Sequence, residues 1–484
     1  MPIRANRAQC APEAGDEMTK MKGTEGMTNI LDLADQALFL GERATGATSV
    51  IQSIWVYDRA IDIDGLRRFH HHLQRGRLAR RIERSPLPFG RHRWVMGSES
   101  SDIEFAQIPR PREEFDAWLT EQAHTPLDAE HGPGWHLATV PFTDGGTGVS
   151  LVVAHSLIDG VGLAMALVEA TSGVDDAIMW PLAGSRRRWR AVREDARQTA
   201  RDIPAVGRAT RAAIRMARRH RRDAGKPARA PKHIERPDER IALPSATAFI
   251  DASEWDARAQ SLGGTSNALL AGLAADAAQR MGRTVGDGAV MLSIPVNERT
   301  DGDTRANAVT NVDVTVDPTN ATSDLRGIRA AIKQALIHLN DVQDERLALL
   351  PIVPLVPKRL MRRMVSVATG NAASVVSSNL GEVPSAVTRP DGTDADYCTA
   401  RSVYPGVTRA TMHRTGGVLG FISGRVNGKV GISVLSYQPC HPNSDAELRQ
   451  TLSSTFAAFS LNATMQWESS ELVQTVATGS GDQI

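Results

Sequence analysis

The stretch Ser150-Leu-Val-Val-Ala-His155-Ser-Leu-Ile-Asp159-Gly160-Val-Gly162 carries the fold signal of this chain. An apolar run closed by a turn signal has the pattern of a buried strand. Asp159 is then placed to cap a helix over roughly 161–170, because its carboxylate can accept the orphan N–H groups of a first helical turn. His155 falls where strand gives way to loop, on a rigid scaffold whose edge can open to a cleft. A general base is useful there: neutral imidazole has a pKa near the working pH and can take a proton from an attacking hydroxyl. The competing reading is a core histidine at a strand end, followed by an ordinary Asp-Gly turn.

Upstream, 136–141 reads as a strand that turns at Asp144-Gly145-Gly146 into the histidine strand. Residues 49–57 alternate as a strand, 64–77 form an amphipathic helix opened by Asp64-Gly65, and 113–124 form another helix. The first helix carries His70-His71-His72. Consecutive helical residues point about 100° apart, so the three cannot share one metal, and the run is expected at the surface. Downstream, 246–253, 289–295 and 309–316 read as strands. Helices are expected over 265–281, capped by Thr265 or Ser266, and over 325–339 and 446–461. Asn427-Gly428 between the runs 418–425 and 429–437 is a strong hairpin signal. The apolar segment 347–367 contains Pro351, Pro354 and Pro357 and turns basic at Lys358-Arg359 and Arg362-Arg363. It reads as a broken helix pair at a lipid-facing mouth, or as a normal core helix.

At 484 residues the chain suits two domains rather than one core. A hydrophobic content of 41% and a mean hydropathy of -0.26 are globular values. No apolar run reaches transmembrane length and no secretory signal is visible. Cys10, Cys398 and Cys440 lie far apart without metal-ligand spacing, so no metal is expected and a reducing cytoplasm is the expected compartment. The formal net charge of +1 gives no global pull toward nucleic acid or anionic membrane. Phosphate-cradling glycine loops and dinucleotide fingerprints are absent, and no cofactor is expected.

The expected organisation is a disordered segment 1–27, a first lobe 28–180, a basic connection 181–240 and a second lobe 241–484. Roughly every third residue from 186 to 240 is Arg or Lys. The centre of the connection, Arg208 to Arg222, is rich in Ala and Arg and reads as a helix; Gly225, Pro227, Pro231 and Pro237 then break it. It is either a solvated linker or a basic amphipathic helix resting on anionic membrane or a lipid droplet. Interleaved aromatics for nucleic-acid stacking are missing apart from Trp189.

Further segments, taken in order, resemble one family. They are Leu31-Asp-Leu-Ala-Asp-Gln-Ala-Leu-Phe-Leu40, Arg80-Arg-Ile-Glu-Arg84, Gly90-Arg-His-Arg-Trp94, Pro126-Leu-Asp128 with Gly134-Trp135, Ser266-Asn267-Ala268, Pro295-Val-Asn-Glu-Arg299, Asn311-Val-Asp-Val, Ser378-Asn379-Leu-Gly381 and Leu435-Ser436-Tyr437. With the H-x-x-x-D-G motif they resemble the CoA-dependent acyltransferase superfamily of chloramphenicol acetyltransferase, peptide-synthetase condensation domains and polyketide-associated acyltransferases. Within it the likeness is to bacterial wax ester synthase/diacylglycerol acyltransferases. The resemblance implies an α/β (α+β) fold of two chloramphenicol acetyltransferase-like lobes, each a mixed sheet with flanking helices, with an active-site tunnel between them.

It also implies transfer of a long acyl group from acyl-CoA to a lipid alcohol, a fatty alcohol or diacylglycerol, with His155 as general base and no acyl-enzyme. Asp159 is implied to turn away from His155 and pair with Arg299. Oxyanion or substrate contacts are expected from backbone N–H groups near Gly160 and from Asn267, Ser378 and Asn379. Asn267 could equally cap a helix, and Asn379 could sit in a turn. Two departures bear on substrate class: Ala154 stands where the family has the first of two tandem histidines, and Ala268 where it has Asp. A glycolipid, polyketide or amine acceptor, or a non-catalytic lipid-binding relative, are the alternatives.

Overall fold

The computed structural model describes residues 28–97, 102–174, 178–223, 239–300, 302–341, 347–358, 360–361, 374–465 and 467. In chain order the elements are α1 (Leu33–Thr45), β1 (Val50–Tyr57), α2 (Ile63–Leu73), β2 (Arg80–Glu83), β3 (Arg93–Met96), β4 (Glu104–Phe105), α3 (Phe115–Ala123), β5 (Trp135–Pro141), β6 (Thr147–Ala154), α4 (Gly160–Ser172) and α5 (Arg188–Asp223). They continue with β7 (Ser245–Asp251), α6 (Ala252–Ser261), α7 (Ser266–Arg280), β8 (Val290–Asn297), β9 (Val309–Val316), α8 (Arg326–Asp341), β10 (Val375–Glu382), β11 (Tyr397–Val403), α9 (Arg409–Thr415), β12 (Val418–Val426), β13 (Lys429–Tyr437) and α10 (Asp445–Ala458).

Two mixed sheets form the lobes. The first has the order β11-β1-β6-β5-β4 and the second β7-β13-β12-β10-β8-β9; β2 and β3 make a separate ribbon. Every residue of β1 and β6 is buried, including the polar ones between their apolar residues; Gln52 Nε2 donates to Ser150 Oγ at 2.8 Å to satisfy two of them. β9 ends the second sheet and alternates buried with exposed residues, as a strand with one solvated face must. The β12–β13 hairpin turns at Asn427 and Gly428, both at positive φ (47° and 74°), the conformation that favours this pair. Among the described residues no helix is long and apolar enough to cross a membrane.

The structure amends several sequence readings. β11 belongs by number to the 241–484 lobe, yet it pairs with β1 of the first sheet, Val50 opposite Val403. Arg401 on β11 is buried and ties the sheets together, donating to Gln52 Oε1 (2.7 Å) and Ser245 Oγ (3.1 Å). α2 starts at Ile63 behind an Asp62 cap, ahead of the expected Asp64-Gly65 opening. His70 is buried, its ring edge-on to Trp135 at 5.3 Å, so the histidine run is not wholly a surface feature.

The connection 181–240 is not a free linker. α5 runs unbroken for 36 residues through Pro204. Its Asp195 is buried against the first lobe, accepting from Arg93 Nη2 (3.0 Å), Arg186 Nη1 (2.8 Å) and Ser85 Oγ (2.7 Å). A 3-10 segment, Leu347–Leu355, takes the place of the first part of the expected helix pair. The expected disordered segment 1–27, the breakers at 225–237 and Arg359, Arg362 and Arg363 lie outside the described residues.

An aromatic cluster also joins the lobes. Trp467 packs against Phe115 (5.3 Å), Phe249 (5.5 Å) and Tyr397 (6.4 Å), and its indole N–H donates to Asp116 (2.9 Å). Trp467→Ala should cost about 3–5 kcal/mol in urea unfolding, the range for emptying an aromatic site. A loss below about 1 kcal/mol would mean that this cluster does not hold the lobes.

Candidate active site

His155 follows the last residue of β6. The register that sets Val50 opposite Ala154 continues one step further, and the His155 N–H donates to the Ser49 carbonyl at 2.8 Å. Residues 154–158 then turn, with Leu157 N–H on Ala154 O (2.9 Å), and Asp159 opens α4. His155 is partly exposed as a residue, and its Nδ1 is buried. Nε2 is therefore the nitrogen that can meet a substrate. Burial pushes the imidazole below its ordinary pKa, opposed by its own backbone carbonyl, the Asp159 charge and the Asn307 side chain. An imidazole kept neutral in this way can accept a proton from a hydroxyl or an amine.

Asp159 is turned to other work. Its Oδ1 accepts the Gly162 N–H at 2.6 Å, and its Oδ2 accepts from Arg299 Nη2 and from the Ala308 N–H, both at 2.8 Å. Both side chains of the Asp159–Arg299 pair are almost fully buried, at 3% and 4% exposure. Arg299 also donates through Nη1 to the Arg305 carbonyl (2.9 Å) and through Nη2 to the Ala306 carbonyl (3.0 Å). One ion pair therefore fixes both the start of α4 and the 303–308 loop of the second lobe.

Three further groups brace the motif. Asp35 on α1 is buried and accepts from the N–H groups of Ala306 and Asn307, both at 2.8 Å. Asn307 Nδ2 donates to Asp35 Oδ1 (3.1 Å) and to the His155 carbonyl (3.2 Å). Arg80 is buried under Trp94, its guanidinium 4.1 Å from the ring centre, and donates to the Leu157 carbonyl at 2.6 Å. Asp35 and Arg80 lie in segments that carried the family resemblance; Asn307 had no sequence signal. Ala154 is buried among Leu31, Phe39, Trp94 and Leu157, so a histidine there would need to enter an apolar cluster. Glu42 Oε1 accepts the Ser49 N–H (3.1 Å) beside this site, and burial pushes its carboxyl up to about 7.

Of the expected oxyanion side chains, Asn379 is bonded to its neighbours. Asn379 donates to Asn267 Oδ1 (2.5 Å) and Ser266 Oγ (3.2 Å), and its own Oδ1 accepts the Gly381 N–H (2.9 Å). Both amide hydrogens are thus engaged in fastening β10 to the start of α7, leaving none for an oxyanion. Asn267 and Asn379 line an open recess with Thr265 and Arg425 that does not include His155, and Ser378 lies on β10 paired with Ile422 of β12. The Gly160 and Val161 N–H groups stand at the start of α4 without intrahelical partners, as geometry requires there.

Gly160 lines an apolar cavity between the lobes, together with Ile51 of β1, Leu163 and Leu167 of α4, Leu380 of β10 and Ile422 of β12. A Cβ at Gly160 would come within 3.2 Å of the Leu380 side chain, so a larger residue would crowd the wall. Cys398 also lines the cavity, and burial pushes its thiol up to about 12, far from a nucleophilic thiolate. Among the described residues the one cluster of metal-type donors is Asp128, Glu130 and His131, where Arg43 pairs with Asp128 and Arg84 with Glu130. Those ion pairs account for its charge.

Two predictions follow from this geometry. Arg299→Met strands a buried carboxylate and should cost about 3–5 kcal/mol in chemical unfolding; a near-neutral change would remove the ion pair as the inter-lobe tie. Glu42 has a folded pKa above its unfolded value, so its stabilising contribution is complete below about pH 4.5 and is lost as pH rises through about 7. Glu42→Gln does not titrate. Its Tm relative to wild type should climb between pH 4.5 and 7 and then level off, and a flat difference would contradict the buried, protonated carboxyl.

No protein-family model matches the chain, and no curated protein matches it by sequence. Solved structures do match. The wax ester synthase/diacylglycerol acyltransferase from Marinobacter aquaeolei VT8 aligns over 90% of this chain and 98% of its own, at 16% identity and a TM-score of 0.52. The first condensation domain of the CDA synthetase aligns over 91% and 100%, at 14% identity and a TM-score of 0.52. The nonribosomal peptide synthetase FmoA3 aligns over 91% of this chain, at 17% identity and a TM-score of 0.51, and this chain spans only 45% of that longer one. The chain therefore has the two-lobed fold common to condensation domains and the wax ester synthase/diacylglycerol acyltransferase, with two mixed sheets flanked by helices.

Proposed function

We propose that this protein is an acyl-CoA-dependent O-acyltransferase that moves a long acyl chain onto a fatty alcohol or diacylglycerol. The observation that carries the reading is the His155 turn running directly into Gly160, which lines the apolar inter-lobe cavity. In this reading Nε2 takes the hydroxyl proton as the alcohol oxygen attacks the thioester carbonyl. The C–O bond forms, and the tetrahedral oxyanion draws on the N–H groups of Gly160 and Val161. Collapse breaks the C–S bond, and His155 returns the proton to the CoA thiolate. Asp159 does not orient the imidazole, since its oxygens are committed to Arg299, Ala308 and Gly162. Apolar walls suit an acyl chain, and the high thiol pKa of Cys398 argues against an acyl-cysteine intermediate.

The test is purified protein with radiolabelled palmitoyl-CoA and a panel of fatty alcohols, diacylglycerol, glycolipids and amines, separated by thin-layer chromatography. Labelled wax ester or triacylglycerol is the expected product. His155→Ala and His155→Gln should each lose about 10²–10⁴-fold while remaining folded, because neither side chain can accept the proton. The acid limb of the wild-type rate should fall below the ordinary histidine pKa of about 6.5, as burial directs. A folded His155→Ala protein with near-wild-type turnover would remove the base, and transfer confined to amines would replace the acceptor class.

A further inference from the structure

The outward side of α5 has an organisation that the acyl-transfer site does not use. Asp195 and Asp202 face the first lobe, Asp195 buried and Asp202 3.8 Å from Arg91. With about 3.6 residues per turn, Arg197, Arg201, Arg208, Arg211, Arg215 and Arg218 then fall on the opposite side within an arc of roughly 100°. All six are exposed, and none makes an ion pair among the described residues. No acidic residue shares that arc between 197 and 218.

A second row lies beside the arginines. Trp189, Ile203 and Ile214 fall within roughly 40° of one another around the helix. They are exposed by 83%, 63% and 46%. Single exposed apolar residues are common on protein surfaces, but here three stand in line along roughly 40 Å of one helix, bordered by unpaired positive charge. A purely solvated helix gains nothing from this arrangement. A helix lying in a lipid interface does, because the aromatic and branched side chains enter the acyl boundary while the arginines meet headgroup phosphates. Nucleic acid would satisfy the arginines but would leave the isoleucines without a partner.

We infer that the outward face of α5 is a docking surface for an anionic lipid bilayer, with Arg197 to Arg218 on the headgroups and Trp189, Ile203 and Ile214 at the acyl boundary. This surface does not depend on the proposed chemistry: it could hold while the acyltransferase reading fails, and the reverse.

The experiment is co-sedimentation of the full chain with vesicles of equal parts phosphatidylcholine and phosphatidylglycerol, and with phosphatidylcholine alone. Binding to the anionic vesicles is expected, with little to the neutral ones, and it should fall steeply as salt shortens the screening length from about 10 Å at 0.1 M to about 3 Å at 1 M. Replacing Arg208, Arg211, Arg215 and Arg218 together by Gln should weaken it by about a hundredfold or more. Replacing Trp189, Ile203 and Ile214 together by Ser should weaken it by about tenfold while the salt dependence remains. Unchanged thermal unfolding checks that these exposed substitutions leave the fold intact. Negligible binding to both vesicles overturns the inference. So does salt-sensitive binding that survives the arginine replacements, an apolar set that behaves as wild type, or retention of duplex DNA in place of vesicles.

Discussion

The buried pair of Asp159 and Arg299 sets the terms for the rest of the molecule. A carboxylate removed from water is tolerable only with a charge partner and with its remaining lone pairs filled. Here the partner comes from the other lobe and the remaining bonds come from the start of α4 and from Ala308. The lobes must therefore meet at this point for either charge to be stable. His155 inherits its place from that requirement, because the turn bearing it is pinned at the Ser49 carbonyl on one side and the capped helix on the other.

The same pair explains why Asp159 is four residues from a histidine without orienting it. An aspartate that accepted from the imidazole would have to surrender Gly162, Arg299 or Ala308. Asn307 and the Ser49 carbonyl hold the histidine through its backbone instead, and burial keeps the imidazole below its ordinary pKa. The 303–308 loop, in turn, is held by Asp35, so α1 supports the motif from outside both sheets. Geometry is what such a network secures; its net contribution to stability is small beside its contribution to position.

Much of the fold was legible before the structure, and the reasons are local. Strands β1, β6 and β9 announced themselves by apolar runs or alternation, the hairpin by Asn427-Gly428, and α4 and α7 by Asp159 and Thr265 as caps. What failed depended on distant partners. β11, with Arg401 in its centre, reads as polar, and only the Gln52 and Ser245 acceptors make that arginine compatible with burial. His70 is a different case: it lies on the same helical face as Leu66, Phe69 and Leu73, so its burial follows from periodicity, and the surface expectation rested only on three consecutive histidines being unable to share one metal. Asn267 and Asn379 were left open between a substrate contact and a cap or turn; Asn379 does hold a turn through the Gly381 N–H, and it also bonds Asn267. No local pattern can reveal that two amides found separately are bonded to each other.

The placement of β11 also fixes an order of events during synthesis. Until residue 403 has left the ribosome, β1 carries one edge of unsatisfied backbone groups, flanked by the buried side chains of Ile54, Trp55 and Val56. At about 5–20 residues per second, the interval between completing β1 and completing its neighbour lasts roughly 20–70 s. For that time the first sheet is a template open to any other extended strand, including one from a second nascent chain. The chain is divided into two lobes in space, yet the first sheet cannot be completed before most of the second lobe has been made.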